Sequence, residues 1–478
     1  MLIGEMNDGE RLHRNLGPVA LTALGMGATI GTGLYVLTGE AAHDFAGPSL
    51  MLSFLLAGLG CCFAAMCYSE LASMVPVAGS AYTYAYATLG EFIAWVIGWD
   101  LILEYAISSC AVASSWSDYF DALARKTFGI HIDPRLLAAP WDFETETGRF
   151  IAKTVTLLDG QVVNAWINLP AVIVAFLITI VLVVGIRESA GFNVAMVILN
   201  LAVILTFIGI GLAYLDTRNW SPFLHAEKGW SGIPQGAARI FFAYIGFDAI
   251  STHAEEARRP QRDLAIGILA SLAICTILYV SVTAILTGMI PYSQINIQAP
   301  LAAALQSKGA NTAGALISVG ILAGMTSAIL VGNLSQSRIL LAMSRDGMLP
   351  VSFFGAVHHR FKTPWKSTIL VGLVVAVGGG LAPLRFLADL VSIGTLFAFV
   401  VVCASVWILR HINPGLERPF RTPWVPFVST MGILINGGLM LSLGVDNWLR
   451  LIVWLIVGLF IYFGYSRFHS VLNRGDAR

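Results

Sequence analysis

Charge is scarce in this sequence: 12% of its 478 residues are Asp, Glu, Lys or Arg, about half the quarter usual in soluble domains. With 57% hydrophobic residues and a mean hydropathy of +0.76, that scarcity excludes a single soluble core. Neither sign of charge is in excess, since 28 basic residues balance 28 acidic ones, and a nucleic-acid partner is therefore not expected. Cysteines are few, and all six (Cys61, Cys62, Cys67, Cys110, Cys275, Cys403) lie inside apolar runs, where neither a loop disulfide framework nor a metal-ligand spacing is available. No metal or cofactor is expected. The polar stretch from Met1 to Leu16 leads into an apolar run without a small-residue cleavage site, so no signal peptide is expected.

What the sequence has instead is apolar runs of about 20 residues, the length that crosses a bilayer as a helix. They fall near 17–38, 49–69, 92–116, 167–186, 192–214, 233–251, 264–289, 312–343, 367–382, 386–409, 425–444 and 449–465. Twelve spans put both termini on one side. With that side inside, seventeen Lys and Arg are internal and eleven external, a bias that favours cytoplasmic termini. The long connection 117–166 mixes Asp118, Asp121, Asp133, Asp142, Glu144 and Glu146 with apolar and aromatic residues and reads as a folded external cap. Nothing in it resembles an enzyme site, which places the chemistry within the membrane.

Two spans have unusual interiors. The first reads Leu24-Gly25-Met26-Gly27-Ala28-Thr29-Ile30-Gly31-Thr32-Gly33, and each glycine costs a helix about 1 kcal/mol relative to alanine. An opened helix at that depth is tolerated only where it is buried in protein or lines a wet cavity. Its new ends would attract an anion to the amides of the outer half and a cation to the carbonyls of the inner half, a pair that fits an α-amino acid zwitterion. The alternative is that Gly27 and Gly31 form a small-residue packing face. The sixth span, Phe241-Phe242-Ala243-Tyr244-Ile245-Gly246-Phe247-Asp248-Ala249, sets a glycine and an acid among aromatics at the matching depth. Interrupted helices five spans apart are the mark of an inverted repeat, spans 1–5 against 6–10, with its substrate at the midplane. Tyr244 and Phe247 read equally well as aromatic core.

At these residues the sequence resembles the amino acid–polyamine–organocation superfamily, and within it the cationic amino-acid transporter subfamily. The resemblance covers nearly the whole chain. It includes Gly27 to Gly33, Tyr68-Ser69-Glu70-Leu71, Pro76-Val77-Ala78-Gly79-Ser80-Ala81-Tyr82, Phe241 to Ser251, Glu255-Glu256-Ala257-Arg258-Arg259-Pro260-Gln261-Arg262 and Ser344-Arg345-Asp346-Gly347-Met348-Leu349-Pro350, in family order. It implies an all-α integral membrane protein of 12 transmembrane helices with the LeuT-type inverted repeat. Spans 1, 2, 6 and 7 would rock against spans 3, 4, 8 and 9 around one central site. The implied organisation is a cytoplasmic segment 1–16, a first repeat 17–215 carrying the cap 117–166, a second repeat 216–409, two further helices 410–466 and a cytoplasmic tail 467–478.

The resemblance also implies a binding site. Amides of Thr32 and Gly33 would hold the substrate carboxylate, with Gly31 giving the turn beside Ile30. Carbonyls of Thr29, Phe242, Ala243 and Ile245 would hold the ammonium, with Phe242 and Ile245 bordering the side-chain pocket and Tyr244 near it. In the eighth span, Gly332 would leave room for a long side chain and Asn333 would make that room polar, which suits arginine, lysine or ornithine. Similar proton-coupled bacterial transporters carry a lysine in the fifth span where this sequence has Asn200. Asn200 cannot titrate, so proton coupling by that route is not expected. Glu91, Asp100 and Glu104 of the third span are the remaining candidates for coupling, each with a structural role as the alternative. Glu70, Glu255, Arg258, Arg262 and Arg345 fall at inner helix ends as gate candidates, and His253 reads as a hydrogen-bonded residue or a latch.

An amino-acid carrier in the cell membrane, with the lipid bilayer and an amino acid as its partners and protons as an open question, is the reading these residues support. A proton-coupled symporter of small neutral amino acids, or a sensor that binds without transporting, stays open. A membrane enzyme lacks metal ligands and a nucleophile-base set.

Overall fold

The computed structural model describes residues 16–74, 80–144, 149–157, 159–184, 189–361 and 363–471. The N-terminal segment before Leu16, the Pro76–Gly79 part of the cytoplasmic motif, the tail beyond Val471 and the side chains of Glu255 and Glu256 lie outside the described residues.

Backbone groups in lipid have to satisfy one another, and apolar runs therefore become helices. In chain order these are α1 (Pro18–Thr29), α2 (Thr38–Ala41), α3 (Leu50–Met74), α4 (Ser80–Thr88), α5 (Glu91–Phe128), α6 (Leu169–Val184), α7 (Ser189–Leu212), α8 (Gly232–Ile240), α9 (Pro260–Met289), α10 (Pro300–Ser307), α11 (Asn311–Arg345), α12 (Val351–Phe354), α13 (Trp365–Leu381), α14 (Leu384–Ile412), α15 (Val425–Ser442), α16 (Val445–Ile461) and α17 (Arg467–His469). Proline opens α1, α9 and α10 at the first turn, where its missing N–H costs nothing. Eight segments of the described chain are long and apolar enough to cross a membrane by themselves, among them Gly33–Met74, Glu91–Arg125 and Pro260–Met289. Shorter apolar helices occupy Pro18–Thr29, Leu169–Val184 and Trp365–Leu381. The chain is a multi-pass membrane protein.

Two groups of helices form the interior. The first packs α1 and α3 against α9, with α8 against α3; the second packs α5 with α11 and α13, and α6 with α13. Large apolar side chains such as Phe176, Leu205, Ile277, Leu316 and Leu373 are exposed on the outside, as suits a surface whose solvent is hydrocarbon. Conversely, many of the buried residues are polar or charged, including Asp100, Glu104, Asp248, Arg239 and Asn333.

The cap departs from the sequence-based expectation in two ways. The helix that should end near 116 continues to Phe128, helped by an Asp121–Arg125 pair one turn apart. Its 38 residues span about 57 Å at 1.5 Å per residue, well beyond a bilayer core. Beyond it, the described part of the cap has one 3-10 turn at Pro134–Leu136 and is otherwise without helix. It forms two antiparallel hairpins, β1 (Trp141–Glu144) with β2 (Arg149–Ala152) and β3 (Thr154–Thr156) with β4 (Val162–Asn164), so an all-α description holds for the spans alone. Phe143 and Phe150 pack on Phe386, and Arg450 lies 4.4 Å over the Phe143 ring, tying the first hairpin to the start of α14 and to α16.

Candidate functional site

Helix α1 stops at Thr29. Ile30 is extended (φ −79°, ψ 98°), Gly31 accepts the amides of Leu34 and Tyr35, and a wider π-helical turn, Gly33–Leu37, begins the outer half. The amides of Thr32 and Gly33 thus stand at a helix start, where intrahelical acceptors are lacking. Across from them, α8 tightens into a 3-10 turn at Phe241–Tyr244, Ile245 is extended, and Gly246 takes φ +116° before a second 3-10 run, Phe247–Glu256. The two breaks touch. A Cβ on Gly33 would run into the backbone of Ala243, and one on Gly246 would lie 2.8 Å from the carbonyl of Ala28.

The turn expected at Gly31 does not depend on a glycine dihedral. Neither Gly31 nor Gly33 has a positive φ, and a Cβ on Gly31 would meet only ordinary contacts, Ala328 at 3.7 Å and Val112 at 3.9 Å. Gly33 is required for close approach, and the residue whose dihedral favours glycine is Gly246.

Two of the four carbonyls expected to hold an ammonium already share a donor. The Tyr279 hydroxyl of α9 donates to Thr29 O at 3.1 Å and to Ala243 O at 2.8 Å, bridging the two breaks. Sequence reasoning missed Tyr279, one aromatic residue in the long apolar run 264–289. Thr29 spends its own hydroxyl on Gly25 O, 2.7 Å away. Tyr244 is directed elsewhere as well: its ring packs on Phe54 and Tyr279 and its hydroxyl donates to Phe54 O at 2.8 Å. It belongs to the core rather than to the pocket. Phe242 and Ile245 are buried beside the second break.

Several polar groups around the breaks have no hydrogen-bond partner among the described residues: the Thr32 hydroxyl, both amide atoms of Asn333, both carboxylates of Asp100 and Glu104, and one oxygen of Asp248. The remaining Asp248 oxygen accepts from the Tyr105 hydroxyl at 2.7 Å. Asp100 and Asp248 both act electrostatically on Glu104, so the third-span pair is a trio; Asp248 is the member that sequence reasoning noted but did not place in the site. A buried carboxylate costs on the order of 3 kcal/mol in a membrane, which makes such a trio unusual. Gly332, one turn beyond Ala328 on α11, would place a Cβ near one atom only, the Ser109 hydroxyl at 2.7 Å.

The other coupling candidates separate. Asn200 is buried, accepts a hydrogen bond from the Tyr35 hydroxyl of the outer half of the first span, and lies against Gly324 of α11. Glu91 accepts from the Tyr462 hydroxyl at 2.7 Å, a contact between helices far from the breaks, which favours its structural role.

Ion-pair clusters stand on both sides of the breaks. On the side of the cap, Arg239 of α8 pairs with Glu40 and Asp389, while Arg385 of α14 pairs with Glu40 and Asp44. On the other side, the expected latch has different partners. Glu70, nearly inaccessible, is held by Arg410 at 2.6 Å and Arg418 at 3.2 Å and accepts the Thr422 amide, whereas Arg258, Arg262 and Arg345 are exposed. His253 is hydrogen-bonded to Thr252 and Ala249 O. Tyr82 donates to Asp346 at 2.9 Å, and burial pushes the Asp346 carboxyl up to about 6 despite that bond.

A family model described as amino acid permease matches residues 16–471. The chain is 46% identical to the branched-chain amino acid permease BcaP of Bacillus subtilis, covering 99% of this chain and 97% of the relative. It is 43% identical to the methylthioribose transporter of the same organism, covering 97% and 95%, and 30% identical to the vacuolar cationic amino acid transporter 4 of Arabidopsis thaliana, covering 98% and 94%. Two facing helix breaks in a multi-pass bundle and a match over almost the whole length lead to one conclusion: this chain belongs to the amino acid permease family, and it is a transporter rather than an enzyme.

Proposed function

We propose that the protein carries amino acids across the cell membrane by alternating access, in twelve spans arranged as a LeuT-type inverted repeat with both termini cytoplasmic. One observation carries the reading: the outer-half amides of Thr32 and Gly33 and the carbonyls of Thr29 and Ala243 meet where two interrupted helices touch. The amides take the substrate carboxylate. The ammonium replaces the Tyr279 hydroxyl at the carbonyls or shares them with it.

Arginine, lysine and ornithine are proposed among the substrates. Gly332 leaves space on α11, the Asn333 amide is unpaired, and the Asp100–Glu104–Asp248 trio offers carboxyl groups that a cationic side chain would pair with. The 46% identity to a branched-chain permease supports a second substrate class, and Phe242 and Ile245 suit an apolar side chain. Asn200 in place of a titratable lysine supports transport down the substrate gradient, with the buried trio as the acids through which protons would act if they do.

Uptake of radiolabelled arginine, lysine, ornithine, alanine and leucine into proteoliposomes, with and without a pH gradient, tests this. Accumulation of arginine that Gly332→Met removes while leucine uptake persists is the expected result, since overfilling a packed interior by a methionine side chain is strongly disfavoured. Leucine uptake without arginine uptake would restrict the substrate to the branched-chain class, and uptake of none of the five would overturn the reading.

A further inference from the structure

A cavity of about 570 Å3 lies under the first cap hairpin, between the outer ends of α5 and α14. That volume falls within the roughly 300–1,000 Å3 of small-molecule sites. Its charged wall has both signs. Arg385 uses Nε on Glu40 at 2.8 Å and one terminal nitrogen on Asp44 at 3.0 Å, and its other terminal nitrogen has no acceptor among the described residues. Lys153 lines the same wall, paired with Asp142 at 3.3 Å. Opposite in sign, Asp118 stands one helical turn from Ser114; it feels the charge of Lys153 but makes no ion pair or hydrogen bond among the described residues, and both Ser114 and Asp118 line the cavity. Trp141, half-exposed, closes the space from the hairpin.

We propose that this cavity is an outer binding site for an α-amino acid, whose carboxylate is taken by Arg385 and whose ammonium is taken by Asp118. The site rests on the reading of the protein as an amino-acid carrier and extends it. A planar guanidinium grips a carboxylate with two parallel bonds, so an amino acid arriving at Arg385 competes with Glu40 and Asp44 for that fork. Glu40 is also the partner of Arg239, and Arg239 that of Asp389. Occupation of the cavity therefore draws on the same ion network that stands on the cap side of the breaks, and couples arrival of substrate to loosening of that network.

The test uses the full chain in nanodiscs, with L-arginine, L-leucine and L-alanine as probes. Binding of radiolabelled probe is counted per chain, and tryptophan emission is followed in the wild type, Trp141→Phe, Asp118→Asn and Gly33→Val. The expected result is two molecules per chain in the wild type. A saturable emission change that vanishes in Trp141→Phe should survive in Gly33→Val, weaken at least tenfold in Asp118→Asn, and be absent with the methyl esters. One molecule per chain in the wild type, with binding and emission change both abolished by Gly33→Val and untouched by Asp118→Asn, overturns the outer site while leaving the central one. Binding of none of the probes overturns both. Should Gly33→Val not fold, the wild-type count decides alone: two supports the outer site and one removes it.

Discussion

At the first break the chain leaves its helix at Ile30 in an ordinary extended conformation, with a wider turn at Gly33 restarting it. At the second it turns through Gly246 at φ +116°, a region L-residues with side chains rarely adopt. The first break is held open by neighbours, chiefly the approach of Ala243 to Gly33 and the Tyr279 hydroxyl, whereas the second is built into the backbone of one residue. Similar motifs in the two halves thus rest on different physics, and substitution should tell them apart.

Gly246→Ala should do the most damage. It combines an unfavourable dihedral with a Cβ against the Ala28 backbone, each costing about 1–3 kcal/mol, so transport in proteoliposomes should fall by at least about 30-fold, with a lowered unfolding temperature. Gly33→Ala leaves the dihedral unstrained but pushes the breaks apart at Ala243. We expect roughly a 10–100-fold loss of substrate affinity from ~1–3 kcal/mol of overpacking, with thermal stability less affected than in Gly246→Ala. Tyr279→Phe removes one hydroxyl shared by both breaks; at about 1 kcal/mol per hydrogen bond it should raise KM by several-fold in uptake assays. Gly31→Ala should do the least, within about threefold of wild type in KM, because its Cβ meets only ordinary van der Waals contacts. A Gly31→Ala variant as impaired as Gly33→Ala would erase the distinction between the breaks.

Much of this was legible in the sequence. Runs of about 20 apolar residues marked the helices, and glycines inside two of them marked the breaks. The reason for each glycine was not legible, because a positive φ and a close backbone approach leave the same letter in a sequence. Tyr279 was hidden because its acceptors lie 250 and 36 residues away, and nothing local distinguishes a bridging tyrosine from a core one. Tyr244 shows the reverse: adjacency to the break suggested the pocket, while the 3-10 turn sends its ring to Phe54. The cap was legible as a folded unit but not as hairpins, since strands of three or four residues are too short for alternation to register. The ion-pair partners of Glu70, Arg410 and Arg418, are about 340 residues away, beyond any local pattern.

The tyrosine at the breaks also bears on the return journey of an unloaded carrier. In the proposed cycle, cargo that supplies an ammonium would satisfy the two carbonyls during the loaded half; an empty carrier has no such cargo, and exposed carbonyls in a low-dielectric interior would make reorientation slow. The one Tyr279 hydroxyl, within hydrogen-bond distance of both, offers them a shared donor when no cargo is bound. Under the proposed alternating-access cycle, the unloaded protein would then cross back without waiting for a molecule to exchange, and net delivery would be favoured over one-for-one swapping. In Tyr279→Phe, uptake into empty vesicles should therefore fall more than uptake into vesicles preloaded with the same amino acid.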